Sequence, residues 1–385
     1  MGFSAFSRFE KIDDISLSAI NRTFQLPSQG GQLPSDRWMA GIYLQVEGRL
    51  TNPAAGGGGQ VPTAFQADAP FSLLDRIQVQ GFHRIRKMDE LFINVRGADL
   101  REMNRLYTLH NPLNVSSINA AALVQDQAFS LAADATNDFR FIVMVPFVPL
   151  GMSLREQTGW LLDAPNYDRL RLDIKWSDAA SVFTLGSVVP AFTAFGSVTG
   201  SPRVRVAGVF AMGGQERFAG QVSGRVWRYF AEATGSLLTT TATGVRLFDL
   251  PRGNRLRHCI LKTGALAVTT AGNASYLSRS DTIAANIDFM QGTNRSIRKF
   301  PDFFGGKEHF AIFNGVQPSA GYMPIDFAMS GALAESLDVR GLIAGATGNT
   351  DLFLQSDVLG AANQGALMLF EELRNAPVRV VTRRR

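Results

Sequence analysis

Three short patterns recur in the two halves of this chain, in unchanged order. Arg-x-Phe-x-Leu-Pro begins at Arg22 and again at Arg246, 224 residues later. Gly-x-Leu ends an apolar stretch at Gly48 and again at Gly264, 216 residues later. Gln-Gly-x-x-Arg begins at Gln80 and at Gln291, 211 residues apart. Around them Ile85-Arg86-Lys87 is answered by Ile297-Arg298-Lys299, Phe92 by Phe304, Pro146 by Pro324, and residues 168–176 by 351–358. One short match arises by chance, but an ordered series at slowly drifting separation describes a duplicated unit. A chain of 385 residues has room for two ordinary domains. The extra length of the first copy falls between about Leu106 and Asn137, and residues 204–210 would close it. The expected division is an N-terminal arm over 1–18, a first unit over 19–214, a second over 215–382, and a basic end at 383–385.

Each unit reads as β. From Trp38 onward Ala40, Ile42, Leu44, Val46 and Leu50 share one phase, while Tyr43, Gln45, Glu47 and Arg49 take the other. Successive strand residues point to opposite faces, so this is one buried and one solvated face. Leu170, Leu172, Ile174 and Trp176 alternate with Arg169, Arg171, Asp173 and Lys175 in the same way. Residues 139–147 are apolar on both phases, as in a strand covered on both sides. Further strands are expected at 77–79, 204–210, 245–250, 367–370 and 378–381. Helical patterns are few. Ser153 with Glu156 has capping-box spacing and predicts a helix ending before Pro165. A second short helix is expected over 98–107. Residues 52–59, 111–137 and 177–200 read as long loops.

Composition narrows the chemistry. A 45% hydrophobic content supports a large core, and a net charge of +5 with dispersed arginines offers no nucleic-acid-binding stripe. The single cysteine, Cys259, excludes an internal disulfide framework. No apolar run approaches the roughly 20 residues of a membrane-spanning helix. No secretory h-region follows Met1, and Phe6 stands where myristoylation wants Ser or Thr, so synthesis in a cytoplasm is expected. The asparagines of the four sequons, Asn21, Asn114, Asn273 and Asn294, are then expected to stay unmodified.

Catalytic signatures are missing. His83, His110, His258 and His309 form no H-x-H or H-x-x-x-H pair, and on a strand His258 and Cys259 would point to opposite faces. Gly305-Gly306-Lys307 lacks the spacing and the Ser/Thr of a phosphate-binding loop. Asp163, Asp168 and Asp173 fall at turns or on a solvated face, which leaves no glycosidase pair. No catalytic, cofactor-binding or metal-ligating residue is therefore assigned, and no cofactor is expected. Gly81 and Gly292 are expected to serve a turn or a close backbone approach. Arg84 and Arg295 are expected to pair with a carboxylate or carbonyl of their own domain.

Two similar β-units of about eight strands suggest an all-β fold of two consecutive eight-stranded jelly rolls with short helical insertions. On residues 73–92, 138–176 (strand, Val-Pro, helix, then Asp-Arg-Leu-Arg-Leu-Asp-Ile-Lys-Trp) and 365–382, the chain resembles the double jelly-roll major capsid proteins of tailless, membrane-containing icosahedral phages, tectivirus-like and of the adenovirus-hexon lineage. The resemblance spans most of the chain and rests on strand arrangement. It implies a non-enzymatic homotrimer of pseudo-hexagonal outline, tiling a virion shell over an internal lipid membrane. The implied partners are further copies of the chain, penton and minor capsid proteins, and membrane lipid, with no sequence-specific nucleic acid. Two other readings stand beside it: a bicupin-like metalloenzyme, and a carbohydrate-binding phage spike. Phe3, Phe6 and Phe9, at three-residue spacing, together with Arg383, Arg384 and Arg385, are the residues expected to meet the inner shell or its lipid.

Overall fold

The computed structural model describes residues 8–16, 23–26, 38–51, 64–65, 68, 71–85, 87–107, 132, 136–147, 161–176, 183–184, 191–193, 203–210, 225–233, 240–250, 255–268, 275–292, 295–327, 337–338, 352–360 and 364–373. The principal strands of the first half are β1 (Arg8–Ser16), β2 (Thr23–Leu26), β3 (Trp38–Thr51), β4 (Leu74–His83), β5 (Met88–Val95), β6 (Thr136–Pro146), β7 (Tyr167–Trp176) and β8 (Arg203–Phe210). Those of the second half are β9 (Arg225–Ala233), β10 (Ala242–Asp249), β11 (Arg255–Val268), β12 (Ala284–Gln291), β13 (Arg295–Asp302), β14 (Tyr322–Asp326), β15 (Leu352–Val358) and β16 (Gln364–Leu373). Helix α1 (Gly97–Tyr107) follows β5, and α2 (Phe303–Asn314) follows β13.

The two halves pair identically. The first forms sheets in the order β1-β8-β3-β6 and β2-β7-β4-β5. The second forms β9-β16-β11-β14 and β10-β15-β12-β13. Every strand thus has a counterpart eight places later. Even the paired prolines agree: Pro146 lies opposite Gly41 on β3, and Pro324 opposite Ile260 on β11. Within each half all these pairings are antiparallel. One parallel contact joins the halves, where β9 runs beside β5 with Trp227 opposite Ile93.

Alternation produces the cores as expected. Ile42, Leu44 and Val46 on β3 meet Ile77, Val79, Leu170, Leu172 and Ile174 from the facing sheet. Cys259, Leu261, Met323, Ile325, Met368 and Phe370 meet Ile287, Phe289, Leu352 and Leu354 in the second sandwich. Each such side chain contributes roughly 1.5–3 kcal/mol on burial.

Several expectations need correcting. Residues 8–16 are not part of an arm: they form β1, paired along β8. The helix expected to end before Pro165 does not reach it. Leu162–Asp163 is a short strand opposite Trp38 and Met39, followed by a 3-10 turn. Leu162 is fully buried there, and that pairing overrides a local capping pattern whose start, at 151–160, lies outside the described residues. Helix α2 was not anticipated, because Gly305 and Gly306 each disfavour a helix by about 1 kcal/mol. Tertiary contacts and caps supply the difference. The Asp302 carboxylate accepts from Gly305 N at 2.6 Å, Gly315 ends the helix at φ 68°, and a Cβ on Gly306 would run into Met323. Phe92 and Phe304 are not counterparts: the first is a core residue of β5, the second is exposed on α2.

The paired Gln-Gly patterns also differ in place. Gly292 takes the positive φ of 64° in the turn after β12. Gly81 lies inside β4, where a Cβ would come within 2.7 Å of the Tyr167 ring. The first hairpin turns later, after His83, which pairs with Met88. Of the expected loops and the strand at 378–381, residues 52–59, 111–131 and 374–385 lie outside the described residues, as does most of 177–200.

Candidate functional site at the junction of the two halves

Strands β16, β11 and β14 are buried on both faces. Their inner face lines the second sandwich. Their outer face carries Ile260, Tyr322, Leu367 and Leu369 into the hydrophobic cluster of the first half. Helix α1 is the first half's side of this contact. Leu100, Met103 and Leu106 belong to the first core, while Asp99, Glu102, Arg105 and Tyr107 reach across.

A charge cluster closes the junction. Lys262 of β11 is 1% exposed, and its Nζ lies 2.9 Å from Asp68 Oδ2 and 3.0 Å from Asp99 Oδ1. The Tyr322 hydroxyl donates to Asp99 Oδ1 at 2.6 Å, and Arg279 Nε lies 3.1 Å from Asp68 Oδ1. Burial opposes the Lys262 charge, but Asp68 and Asp99 outweigh it and hold its pKa above the ordinary lysine value. Burial, then the same two carboxylates, pushes the Tyr322 phenol well up. Beside them Glu102 accepts from Ser319 N at 2.8 Å and from Ser319 Oγ at 2.9 Å. Arg105 donates to the Gln317 carbonyl at 2.7 Å. Although burial works against the Glu102 carboxylate, its bonds to Arg105 and Ser319 hold its pKa below the ordinary value. Farther along, the Tyr107 ring lies 4.3 Å from the His258 ring. His258 Nδ1 is 2.5 Å from Asp326 Oδ1, and Nε2 is 3.4 Å from Glu371 Oε2.

These groups hold two sandwiches in one orientation, with charges shared across the seam. His258 and Cys259 do point to opposite faces. Cys259 is in the second core, where burial first, then Glu372 and Asp326, pushes its thiol far up, so it stays protonated. The other described histidines are elsewhere: His83 accepts from Ile85 N at 3.2 Å on the β4–β5 hairpin, and His309 sits on α2 beside Phe300 and Phe313. His110 lies outside the described residues. Among the described residues no group of three or more His, Cys, Asp or Glu is arranged to hold a metal ion.

The remaining sequence candidates take structural places. Arg84 Nε donates to Asp168 Oδ1 at 2.8 Å, a pairing within its own half, and that bond holds the Asp168 pKa down. The Arg295 side chain lies outside the described residues. Lys307 is 4% exposed, with its Nζ 2.8 Å from Asp281 Oδ2 inside the fold. Asp173, expected on a solvated face, is 7% exposed beneath Arg171, whose Nε donates to it at 2.9 Å. Both line a polar depression with Arg76, Gln78, Gln80 and Lys175. There Arg76 donates to the Asn94 side-chain oxygen and Lys175 pairs with Asp75. Phe9 is a β1 residue opposite Val209. Its helical phase with Phe3 and Phe6 therefore fails. Phe3, Phe6, Arg383, Arg384 and Arg385 lie outside the described residues.

No protein-family model matches the chain, and no curated protein sequence is significantly similar to it. Solved structures are similar along nearly the whole length. The STIV MCP superposes with a TM-score of 0.57 at 10% identity, covering 96% of this chain and 95% of that one. The major capsid protein of bacteriophage PM2 gives 0.53 at 11% identity, covering 96% and 98%. The PBCV-1 virus capsid gives 0.53 at 10% identity, covering 97% and 96%. The fold is the double jelly roll. At such identity the likeness lies in the strand order, with strands one and eight, two and seven, three and six, and four and five wound against each other in each roll. Lys262, Asp68 and Asp99 are thus the buried ionic seam of a double jelly roll. Sequence reasoning missed them. The one available signal was Lys262 itself, a rare lysine inside the apolar run of β11.

Proposed function

We propose that this double jelly roll is the major capsid protein of an icosahedral virus, located in the virion and acting without catalysis. The observation that carries the reading is the end-to-end match of both rolls to capsid proteins. A shell tile needs two rolls held as one rigid body, and the seam through Lys262 and α1 supplies that. The three described histidines, lying in three separate places, support a non-enzymatic role over a bicupin. Three copies, each with two like rolls, would make a tile of pseudo-hexagonal outline, with neighbouring trimers, penton and minor capsid proteins as further partners. We place the division between rolls at 214/215, between β8 and β9. Residues 1–7, with Phe3 and Phe6, and the Arg383–Arg385 end would face the inside of the shell and its lipid.

Light scattering of the purified protein is expected to give a trimer; a stable monomer at micromolar concentration would count against the tile. Removing residues 1–7 keeps β1 intact and should leave that trimer folded while weakening its binding to anionic liposomes. Two phenylalanines contribute roughly 1.5–3 kcal/mol each when fully buried. Unchanged liposome binding by the truncated trimer would turn the segment into a protein–protein arm.

A further inference from the structure

The internal repeat puts one tripeptide in two different settings. In the second roll Ile297-Arg298-Lys299 lies inside β13, with Ile297 packed against the second core and Arg298 over the Phe327 ring. In the first roll Ile85-Arg86-Lys87 stands between β4 and β5. There Ile85 is 75% exposed and Met88, the first residue of β5, is 49% exposed. Cations flank this apolar pair. Arg84 and Lys87 are both exposed and share Asp168, and Lys87 and Arg169 lie over the Phe82 ring. With Arg86 the stretch has four cations against the carboxylates of Asp89 and Asp168, a formal charge of +2.

The turn is firmly held. Lys87 N donates to the His83 carbonyl at 2.9 Å, Arg84 N to the Asn166 carbonyl at 2.8 Å, and Ile85 N to His83 Nδ1 at 3.2 Å. His83 is itself buried, edge-on to the Tyr167 ring. Lys87 takes φ 53°, a left-handed conformation that glycine would adopt without the cost a side chain brings. The place of the turn in the molecule points to what meets it. Arg84 is bonded to Asn166, and just before Asn166 the chain pairs Asp163 with Trp38, where β3 begins. Beside it Met39 pairs with Phe210, and Phe210 with Arg8. The turn therefore lies at the end of the roll from which the chain leads back to residues 1–7. Strand β5 runs away from the turn, and β9 runs parallel to it from Arg225. Arg225 pairs with Leu373, after which the chain continues to Arg383–Arg385. Both chain ends thus lead off from the end of the molecule that carries the turn.

We propose that the β4–β5 turn is a lipid-binding finger. Ile85 and Met88 enter the headgroup layer of an anionic bilayer, while the cations of the turn lie against its phosphates. This rests on the reading that this end of the molecule faces lipid, and extends it from the terminal segments to a folded, rigid element. A protruding tip with two apolar side chains among cations suits a surface that offers negative charge above hydrocarbon. Only the first roll presents such a tip, because in the second roll the same tripeptide is spent on the strand and its core.

The test uses the full-length protein and vesicles of equal parts phosphatidylcholine and phosphatidylglycerol. The double variant Ile85→Ser/Met88→Ser replaces exposed side chains and should keep the wild-type circular dichroism and mass. Its vesicle binding should fall about tenfold, because two inserted apolar side chains are lost. Independently, Ile85→Cys carrying an environment-sensitive dye should shift to the blue on these vesicles and stay unchanged on phosphatidylcholine alone. Cys259 is buried and should take no dye. The same dye on Leu359→Cys should not respond: Leu359 is 50% exposed and follows Val358, at the end of β15 remote from the second hairpin. A silent dye at Ile85 while the wild type binds the vesicles, or a serine variant that binds as well as the wild type, would overturn the finger. The turn would then be a contact for a neighbouring protein, and the terminal-segment reading would stand. A wild type that ignores the vesicles would remove both, while leaving the capsid reading to the trimer mass.

Discussion

Lys262→Met is expected to destabilise the folded protein by about 3–5 kcal/mol, the usual result of removing one partner from a buried ion pair. Methionine matches the length of the lysine stem, so little packing is lost. The cost comes from Asp68 and Asp99, which are left facing each other at 5% and 0% exposure without the ammonium between them. Asp68 keeps Arg279 and Asp99 keeps the Tyr322 hydroxyl, neither of which replaces a shared charge. Adding Asp99→Asn should restore at least half of the loss, because the amide oxygen still accepts from Tyr322 and only one carboxylate remains. The pH dependence has a definite sign. A raised lysine pKa stabilises fully below the unfolded value of 10.5 and ceases to do so as pH rises through the higher folded value. Wild type should therefore lose stability above that pH in a way that Lys262→Met does not. Urea unfolding at neutral and alkaline pH measures both effects. A loss below about 1 kcal/mol, in the range of an exposed pair, would mean that the seam is not held by this cluster.

Gly321→Val is the second large effect, at about 2–5 kcal/mol, the sum of a backbone cost and a packing cost. Gly321 has φ 75°, and a left-handed backbone costs other residues roughly 1–2 kcal/mol. A Cβ there would also lie 2.7 Å from the Thr263 carbonyl oxygen and 2.7 Å from Arg279 Cβ. Overpacking of this kind adds roughly 1–3 kcal/mol. The position cannot relax freely, since Thr263 N donates to the Gly321 carbonyl at 2.9 Å and Gly321 N donates to Asp281. Gly315 is the control. It has a similar φ of 68°, and a Cβ there would meet nothing within 4 Å, so Gly315→Val should show the backbone cost alone. Denaturation midpoints of the two variants should differ clearly, and equal midpoints would remove the packing contribution.

The residues that announced themselves were those with a local reason for their spacing. Alternation marked β3 and β7 because one face of a strand must be apolar, a run apolar on both phases marked β6, and α1 was legible from Leu100, Met103 and Leu106. Asp173 and the Leu162 segment misled, because a neighbouring arginine and a pairing with β3 decided their burial. Helix α2 was hidden by two glycines whose cost is offset by Met323 packing and by the Asp302 and Gly315 caps, none of them visible in a helical window.

The sequence by itself determined that this protein is β, duplicated and poor in catalytic groupings. Periodicity and order are properties of the chain that survive without coordinates. Only the tertiary structure decided how the two rolls join. The seam unites Asp68 and Asp99 with Lys262, partners 194 and 163 residues apart. Charge attraction acts through space and leaves no periodic trace along the chain. The same holds for α1 and α2: similar places in a repeat, one buried and one exposed, distinguished only by whether a second roll stands in front of them.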